Sequence, residues 1–242
     1  MSAPYPDRSR TAASGPRKPR RRKVFGAALA ASVTAALAAA PAVGQRGRVA
    51  VERAPLAASG EERRILEVLS DLYRTHPYLN VPAADGRLLR ILAESIGVMQ
   101  AVEVGTSTGC SGLWLLLALR RSGGRLTTYE IDRGRQQIAR QSFERAGVLQ
   151  FATLVLGDAH VEVAKLKQPI DFLFIDADKD GYLDYFRKLA PLVRPGGLIA
   201  AHNMASPPPD PRYVEAVTAD PAYDTVFLNM QDAGVGVTLK KR

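Results

Sequence analysis

Five apolar runs in this sequence each end on side chains able to do chemistry: Glu103, Glu130, Asp158, Asp176 and the pair His202-Asn203. Carboxylates, an imidazole and an amide can together accept hydrogen bonds from hydroxyls, hold a cation or move a proton. The run Phe172-Leu173-Phe174-Ile175 gives way at once to Asp176-Ala177-Asp178-Lys179-Asp180, which sets two carboxylates and a lysine within four residues. A capped helix start with a solvated face accounts for Asp178 and Asp180. It does not account for Asp176, which falls where the strand is still apolar. Glu130 stands 25 residues beyond Gly105, at the end of the next apolar run. A carboxylate there can accept both hydroxyls of a ribose; a solvated charge at a strand end is the plainer alternative. Gly157-Asp158 also leaves two readings open, the edge of a purine site or a helix N-cap. His160 reads as a surface helix residue.

The first of these ends leads into a turn, Val102-Glu103-Val104-Gly105-Thr106-Ser107-Thr108-Gly109-Cys110-Ser111-Gly112, followed by the apolar Leu113–Leu119. Glycines between a buried strand and a buried helix let the backbone approach a ligand and aim helix N–H groups at it. The spacing is G-x-x-x-G-x-x-G, not the G-x-G-x-x-G of dinucleotide sites. Glu103, two places before the first glycine, would be a poor neighbour for a pyrophosphate and suits a ligand with a positive or hydroxyl-rich part. Cys110, the single cysteine, has no evident activating group beside it and reads as a small buried filler rather than a nucleophile.

The elements that must hold these residues alternate. Apolar residues at helical spacing follow Glu61 (Ile65, Leu66, Val68, Leu69, Leu72) until His76-Pro77, and a second amphipathic helix spans 85–96. Strand 101–104 then leads to helix 110–121, 125–131 to 133–146, 152–156 to 159–167, 170–175 to 180–190 and 197–201 to 211–219. Strands 223–229 and 234–239 lie close enough to require a hairpin. The pattern specifies one α/β domain: a doubly wound, Rossmann-like, mostly parallel seven-stranded sheet with a terminal antiparallel hairpin. In such sheets ligands sit at the carboxyl ends of the strands, the edge to which all five reactive ends belong.

The net charge of +9 suggests nucleic acid until it is located. Residues 1–42 carry eight Lys and Arg against Asp7, a net +7, which leaves +2 for the rest of the chain. The domain therefore has no nucleic-acid footprint. The basic start, the weakly apolar Val24–Ala40 and the small residues Ala40-Pro41-Ala42 form a secretory-type signal, and Arg21-Arg22 resembles a twin-arginine leader. Seventeen weakly apolar residues fall short of the roughly 20 a spanning helix needs. The expected organisation is a leader over 1–42, a linker over 43–60 and a domain over 61–242, with an exported product. A protein left in the cytoplasm or anchored by its leader is the alternative.

Asn80-Val81, Val102-Glu103-Val104-Gly105, Glu130, Phe174-Ile175-Asp176-Ala177-Asp178-Lys179 and Pro195-Gly196-Gly197 together resemble the cation-dependent, S-adenosylmethionine-using O-methyltransferases, the family of catechol and caffeoyl-CoA O-methyltransferases. The resemblance covers about residues 61–242 and implies the class I methyltransferase fold. It implies that Val81, Glu103, Gly105, Ser107, Ser111 and Glu130 hold S-adenosylmethionine. Asp158 and Asp176, at the ends of the third and fourth strands, are expected beside the same cofactor from their position. It also implies that Asp176 is a metal ligand and Lys179 the base beside a hydroxyl of a small, catechol-like acceptor. A homodimer is compatible with it.

One position departs. The family ends its fifth strand on Asp-Asn, both metal ligands, whereas this chain has His202-Asn203. Magnesium prefers oxygen, so a set of Asp176, His202 and Asn203 favours a softer ion, binds Mg²⁺ weakly or works without metal. His202 as a general base is the other reading. The acceptor is expected between the segment around His76-Pro77-Tyr78 and Ala205–Pro211, with Pro207-Pro208-Pro209 as a stiff wall. Two rival functions stand beside methyl transfer: an exported binding protein that keeps the fold without turnover, and a nucleotide-dependent oxidoreductase, which the glycine spacing and Glu103 oppose.

Overall fold

The structure, a computed structural model, describes residues 53–77, 79–229 and 233–242. The expected leader lies outside the described residues, as do Tyr78 and most of the linker. Two helices precede the sheet, α1 (Gly60–Thr75) and α2 (Ala83–Ser95). The Ser59 hydroxyl caps α1 by accepting from the Glu62 N–H at 3.1 Å, and Ile65, Val68, Leu69 and Leu72 form its buried stripe.

Strands β1 (Gln100–Val104), β2 (Arg125–Glu130), β3 (Ala152–Leu156), β4 (Ile170–Ile175) and β5 (Val193–His202) run parallel, in the spatial order β3-β2-β1-β4-β5. Strands β6 (Tyr223–Leu228) and β7 (Val235–Lys240) complete the seven, with β7 antiparallel to both β5 and β6. Helices α3 (Cys110–Ser122), α4 (Arg133–Ala146), α5 (Ala159–Glu162), α6 (Tyr182–Leu189) and α7 (Pro211–Thr218) follow the first five strands. The order reverses between β1 and β4, which puts the crevice of the fold above these two strands.

Side chains alternate across β4 as a strand requires. Phe172 and Phe174 join the core under α1–α4, while Leu173 and Ile175 join the second core with Tyr182, Phe186, Leu189 and Tyr213. One glycine sets the depth at which α2 docks: a Cβ on Gly86 would lie 2.2 Å from the Trp114 ring of α3. Close helix approach at this point carries the first turn of α2 down to the end of β5.

Several bounds shift by a residue or two, the helix expected over 180–190 is α6 between two 3₁₀ turns, and two elements differ most from expectation. The helix expected over 159–167 is only the single turn α5 and a following 3₁₀ turn over Val163–Lys165. Val161 is exposed, only Val163 of the segment is buried, and Pro169 disfavours helix at Gln168. Strand β5 starts at Val193 rather than 197, passing Pro195-Gly196 with a shift in its pairing to β4 between Ile170 and Phe172. Among the described residues no helix is long and apolar enough to cross a membrane.

Candidate active site at the carboxyl edge of the sheet

A cavity of about 950 Å³ opens above the carboxyl ends of the parallel strands. Val81, Gly105, Ser107, Ser111, Glu130, Asp158, Asp176, Lys179, His202 and Asn203 all line it. Glu103 is the one predicted site residue that does not line it.

The glycine turn folds back over β2: the N–H groups of Gly105 and Thr106 both donate to the Tyr129 carbonyl at 3.0 Å. Gly105 has φ +102°, and a Cβ there would lie 2.2 Å from the Asp176 carbonyl oxygen, so only glycine lets β1 and β4 leave the sheet this close together. The Ser107 N–H then donates to Glu130 Oε2 at 2.7 Å, while Glu130 Oε1 accepts from the Asp132 N–H at 2.9 Å. A carboxylate has about four lone-pair sites, so Glu130 keeps capacity for two further donors facing the cavity.

The segment before α2 is stitched to the same turn. Ser107 Oγ donates to the Leu79 carbonyl at 3.0 Å and Thr108 Oγ1 to Asn80 Oδ1 at 2.5 Å. Val81 and Pro82 thereby form a wall of the cavity. His76 and Pro77, also expected as walls, are not in contact with it. Nor is Ala205–Pro211, because the Met204 and Ala205 N–H groups are bonded to the Gly234 and Ala233 carbonyls, at 3.1 and 2.9 Å. The three prolines do not line the cavity, and Ala233 does.

Glu103 was expected to touch the ligand, yet it lies fully buried beneath the turn. Ser111 Oγ and Thr128 Oγ1 each donate to it at 2.6 Å. Burial pushes its carboxyl up to about 7, against the pull of the two hydroxyls and with the help of the negative charges of Asp176 and Glu130. It acts as a buried strut between β1, β2 and the start of α3. Cys110 is buried as expected, and burial pushes its thiol up to about 12, which keeps it protonated and unreactive. Asp158 does cap α5, accepting from the His160 N–H at 2.9 Å, and it also lines the cavity. His160 is not the plain surface residue the sequence suggested. Because α5 is so short, its ring stacks on Tyr185 with centroids 4.5 Å apart, bonds Asp184 at 2.6 Å and lines the cavity.

At the end of β4, Lys179 Nζ donates to Asp176 Oδ1 at 3.1 Å and to the Tyr182 hydroxyl at 2.7 Å. His202 Nδ1 lies 3.3 Å from the other Asp176 oxygen. Its Nε2 lies 3.0 Å from Asp85 Oδ2, at the first turn of α2. Burial alone would lower the His202 pKa, but the two carboxylates outweigh it and raise it to about 9. Burial likewise works against ionising Asp176, yet His202 and Lys179 hold its carboxyl below the usual range. Both ring nitrogens of His202 thus face carboxylates, and the raised pKa favours the protonated ring near neutral pH.

Asp85 went unnoticed in the sequence because an acid in the first turn of a helix reads as a dipole partner. The signal was its phase: Asp85 falls three, four and seven residues before Leu88, Leu89 and Leu92, on the apolar stripe of α2.

A carboxylate at the end of β2 and a glycine turn after β1 are common to dinucleotide-binding sheets and class I methyltransferases. Strand β7 lying antiparallel between β5 and β6, together with the similarities that follow, places the fold among the class I, S-adenosylmethionine-dependent methyltransferases. A family model described as O-methyltransferase matches residues 57–206. Caffeoyl-CoA O-methyltransferase 2 of Petunia hybrida is 30% identical over 204 residues, covering 73% of this chain and 83% of its own length. A catechol O-methyltransferase of Niastella koreensis is 35% identical over 132 residues, 53% of this chain and 59% of the relative. Among solved structures, a Bacillus cereus O-methyltransferase in complex with SAH superposes with TM-score 0.65 at 27% identity, covering 77% of this chain and 93% of that one. A putative O-methyltransferase from Klebsiella pneumoniae gives TM-score 0.67 at 26% identity, covering 77% and 92%. The chain belongs to the O-methyltransferase family that includes the catechol and caffeoyl-CoA enzymes, and S-adenosylmethionine is its cofactor. The oxidoreductase reading is set aside by the same findings.

Proposed function

We infer that this enzyme methylates a hydroxyl of a small, catechol-like acceptor. The observation that carries the reading is the juxtaposition, in one cavity, of the Glu130 carboxylate and the Lys179–Asp176 pair. Glu130, with two acceptor positions to spare, suits the hydroxyls of the cofactor ribose, and the donor chemistry of the cavity fits the cofactor. S-adenosylmethionine supplies an electrophilic methyl group on a sulfonium sulfur.

The residues of the chain orient and neutralise. Asp158 borders the end of the cavity next to Glu130 and suits the purine edge. Lys179 and Asp176 meet the acceptor hydroxyl. As the oxygen–methyl bond forms, the sulfur keeps the electron pair of the broken bond and becomes a neutral thioether. The hydroxyl proton passes through the Lys179–Asp176 pair to solvent. Holding the two reactants in line is the main source of acceleration in such a transfer.

Calorimetry with S-adenosylmethionine, followed by incubation with catechol or caffeoyl-CoA and mass analysis of the products, tests the reading. One-to-one cofactor binding with a gain of one methyl group on either acceptor is expected. Cofactor binding without methylation of any phenolic hydroxyl would favour the binding-protein alternative. We further infer that residues 1–42 are an export leader, supported by their charge and apolar pattern. A mature N-terminus near Val43 outside the cytoplasm is expected, and intact residues 1–23 on cytoplasmic protein would overturn this.

A further inference from the structure

The family resemblance asks for a divalent cation held by Asp176, the last residue of β5 and the residue that follows it. The donor set of this chain does not fit one. Among the described residues no group of three or more His, Cys, Asp or Glu is arranged to hold a metal ion. Of the three side chains in place, only Asp176 is a carboxylate, and each of its oxygens already faces a nitrogen: Lys179 Nζ at 3.1 Å and His202 Nδ1 at 3.3 Å. The second nitrogen of His202 is taken by Asp85. The Asn203 amide nitrogen donates to the Ser206 carbonyl at 3.3 Å, which leaves its Oδ1 as a single neutral oxygen donor and too little by itself to hold a hard cation. The carboxylate missing from position 202 has not vanished from the neighbourhood. It has moved behind the imidazole, onto α2, where Asp85 is fully buried and does not line the cavity.

We propose that this enzyme transfers the methyl group without a divalent cation, and that the chain of contacts Asp85–His202–Asp176–Lys179 occupies the place its relatives give to the ion. Two carboxylates face two basic side chains in alternation. The one carboxylate oxygen left without a partner, Asp85 Oδ1, is buried behind the His202 ring and away from the cavity, so no cluster of anionic oxygens faces the cavity to take a hard cation. Asp85 is then a positioning residue. It holds the His202 ring, which holds Asp176, which fixes Lys179 beside the acceptor. The acceptor no longer needs two adjacent oxygens to chelate an ion. One reactive hydroxyl suffices, and a vicinal diol is accepted for its shape.

The proposal rests on the O-methyltransferase reading, and one experiment separates the two. The full chain is loaded with S-adenosylmethionine, treated with EDTA, dialysed, and titrated with Mg²⁺, Mn²⁺ and Zn²⁺ by calorimetry, with Mn²⁺ also followed by electron paramagnetic resonance. Cofactor binding is measured first, and its loss would overturn the functional reading rather than this one. The expected result is no stoichiometric binding of any of the three ions. In His202→Asp, which restores an oxygen-only pair beside Asn203, Mn²⁺ should bind one-to-one and at least about tenfold more tightly than in the parent. One-to-one binding of Mn²⁺ or Zn²⁺ to the parent, abolished by Asp176→Asn, would overturn the proposal. Should His202→Asp fail to fold, Asp85→Asn provides the second reading. It breaks the contact behind the ring without adding a donor, so it too should bind no metal, and metal binding by it would equally overturn the proposal.

Discussion

Asp85 Oδ2 and His202 Nε2 lie 3.0 Å apart although the residues are 117 positions apart in sequence. Both are buried, and they join the first turn of α2 to the last residue of β5. A buried charge persists only if paired, and breaking one side of such a pair leaves the other uncompensated.

Asp85→Asn should therefore destabilise the fold by about 3 kcal/mol near neutral pH. The pH dependence gives the sign. The folded state raises the His202 pKa from 6.5 to about 9, so the stabilisation is fully present below pH 6.5 and is lost as pH rises through 9. Asp85→Asn removes one of the two carboxylates responsible, and the decline should shift to lower pH and shrink. Urea denaturation from pH 6 to 10 checks this. Parallel stability curves for parent and variant would contradict the assignment.

Glu103 should dominate a lower window. Its carboxyl is raised from 4.5 to about 7, so the folded chain holds a proton that the unfolded chain releases between these values. Stability should fall by up to about 3 kcal/mol as pH rises across that interval. Glu103→Gln keeps an acceptor and a donor for Ser111 and Thr128 and removes the ionisation. Its stability should be nearly flat between pH 4.5 and 6.5, where the parent declines. An unchanged slope in the glutamine variant would place the titration elsewhere.

The sequence made the frame of the site legible because strand ends are marked by an abrupt change from apolar to charged residues. Glu130, Asp158, Asp176 and His202 could be placed on one edge without coordinates, and β3, β4 and α4 have the bounds that the pattern indicates. The orientation of individual side chains was not legible. Glu103 follows the same rule as Glu130 yet points beneath the turn, because alternation along β1 and the hydroxyls of Ser111 and Thr128 decide its direction. Asp85 was hidden for a related reason. Its partner arrives from β5 through tertiary packing that Gly86 and Trp114 permit, and no local pattern encodes that meeting.

Glu130→Ala should weaken S-adenosylmethionine binding by about 1.5–3 kcal/mol, the range for lost hydrogen bonds to a charged group. Part of that loss would come from the turn, since Glu130 also accepts from the Ser107 and Asp132 N–H groups. Glu130→Gln separates the two contributions. Its single amide oxygen can keep one backbone bond but cannot serve a ribose diol as a carboxylate does. Calorimetry should rank parent, glutamine and alanine variants in falling affinity. Equal affinity in all three would remove Glu130 from the cofactor site.

Gly105 provides the sharpest test of the backbone geometry, when set beside Gly97. Both have positive φ, +102° and +60°, so an added Cβ strains either. At Gly97 nothing lies within 4 Å of that Cβ, whereas at Gly105 the Asp176 carbonyl oxygen is 2.2 Å away. Gly97→Ala should cost about 1–2 kcal/mol, the conformational penalty alone. Gly105→Ala must in addition push β1 and β4 apart where the cavity begins, and a loss above about 4 kcal/mol is expected, the size reserved for specific steric faults. The displacement moves Asp176 and with it the Lys179 contact, so cofactor binding and methyl transfer should fall together in Gly105→Ala and remain intact in Gly97→Ala. Thermal denaturation and calorimetry on the two variants measure both effects. Comparable behaviour of the pair would mean that the approach of Gly105 to Asp176 does not control the site.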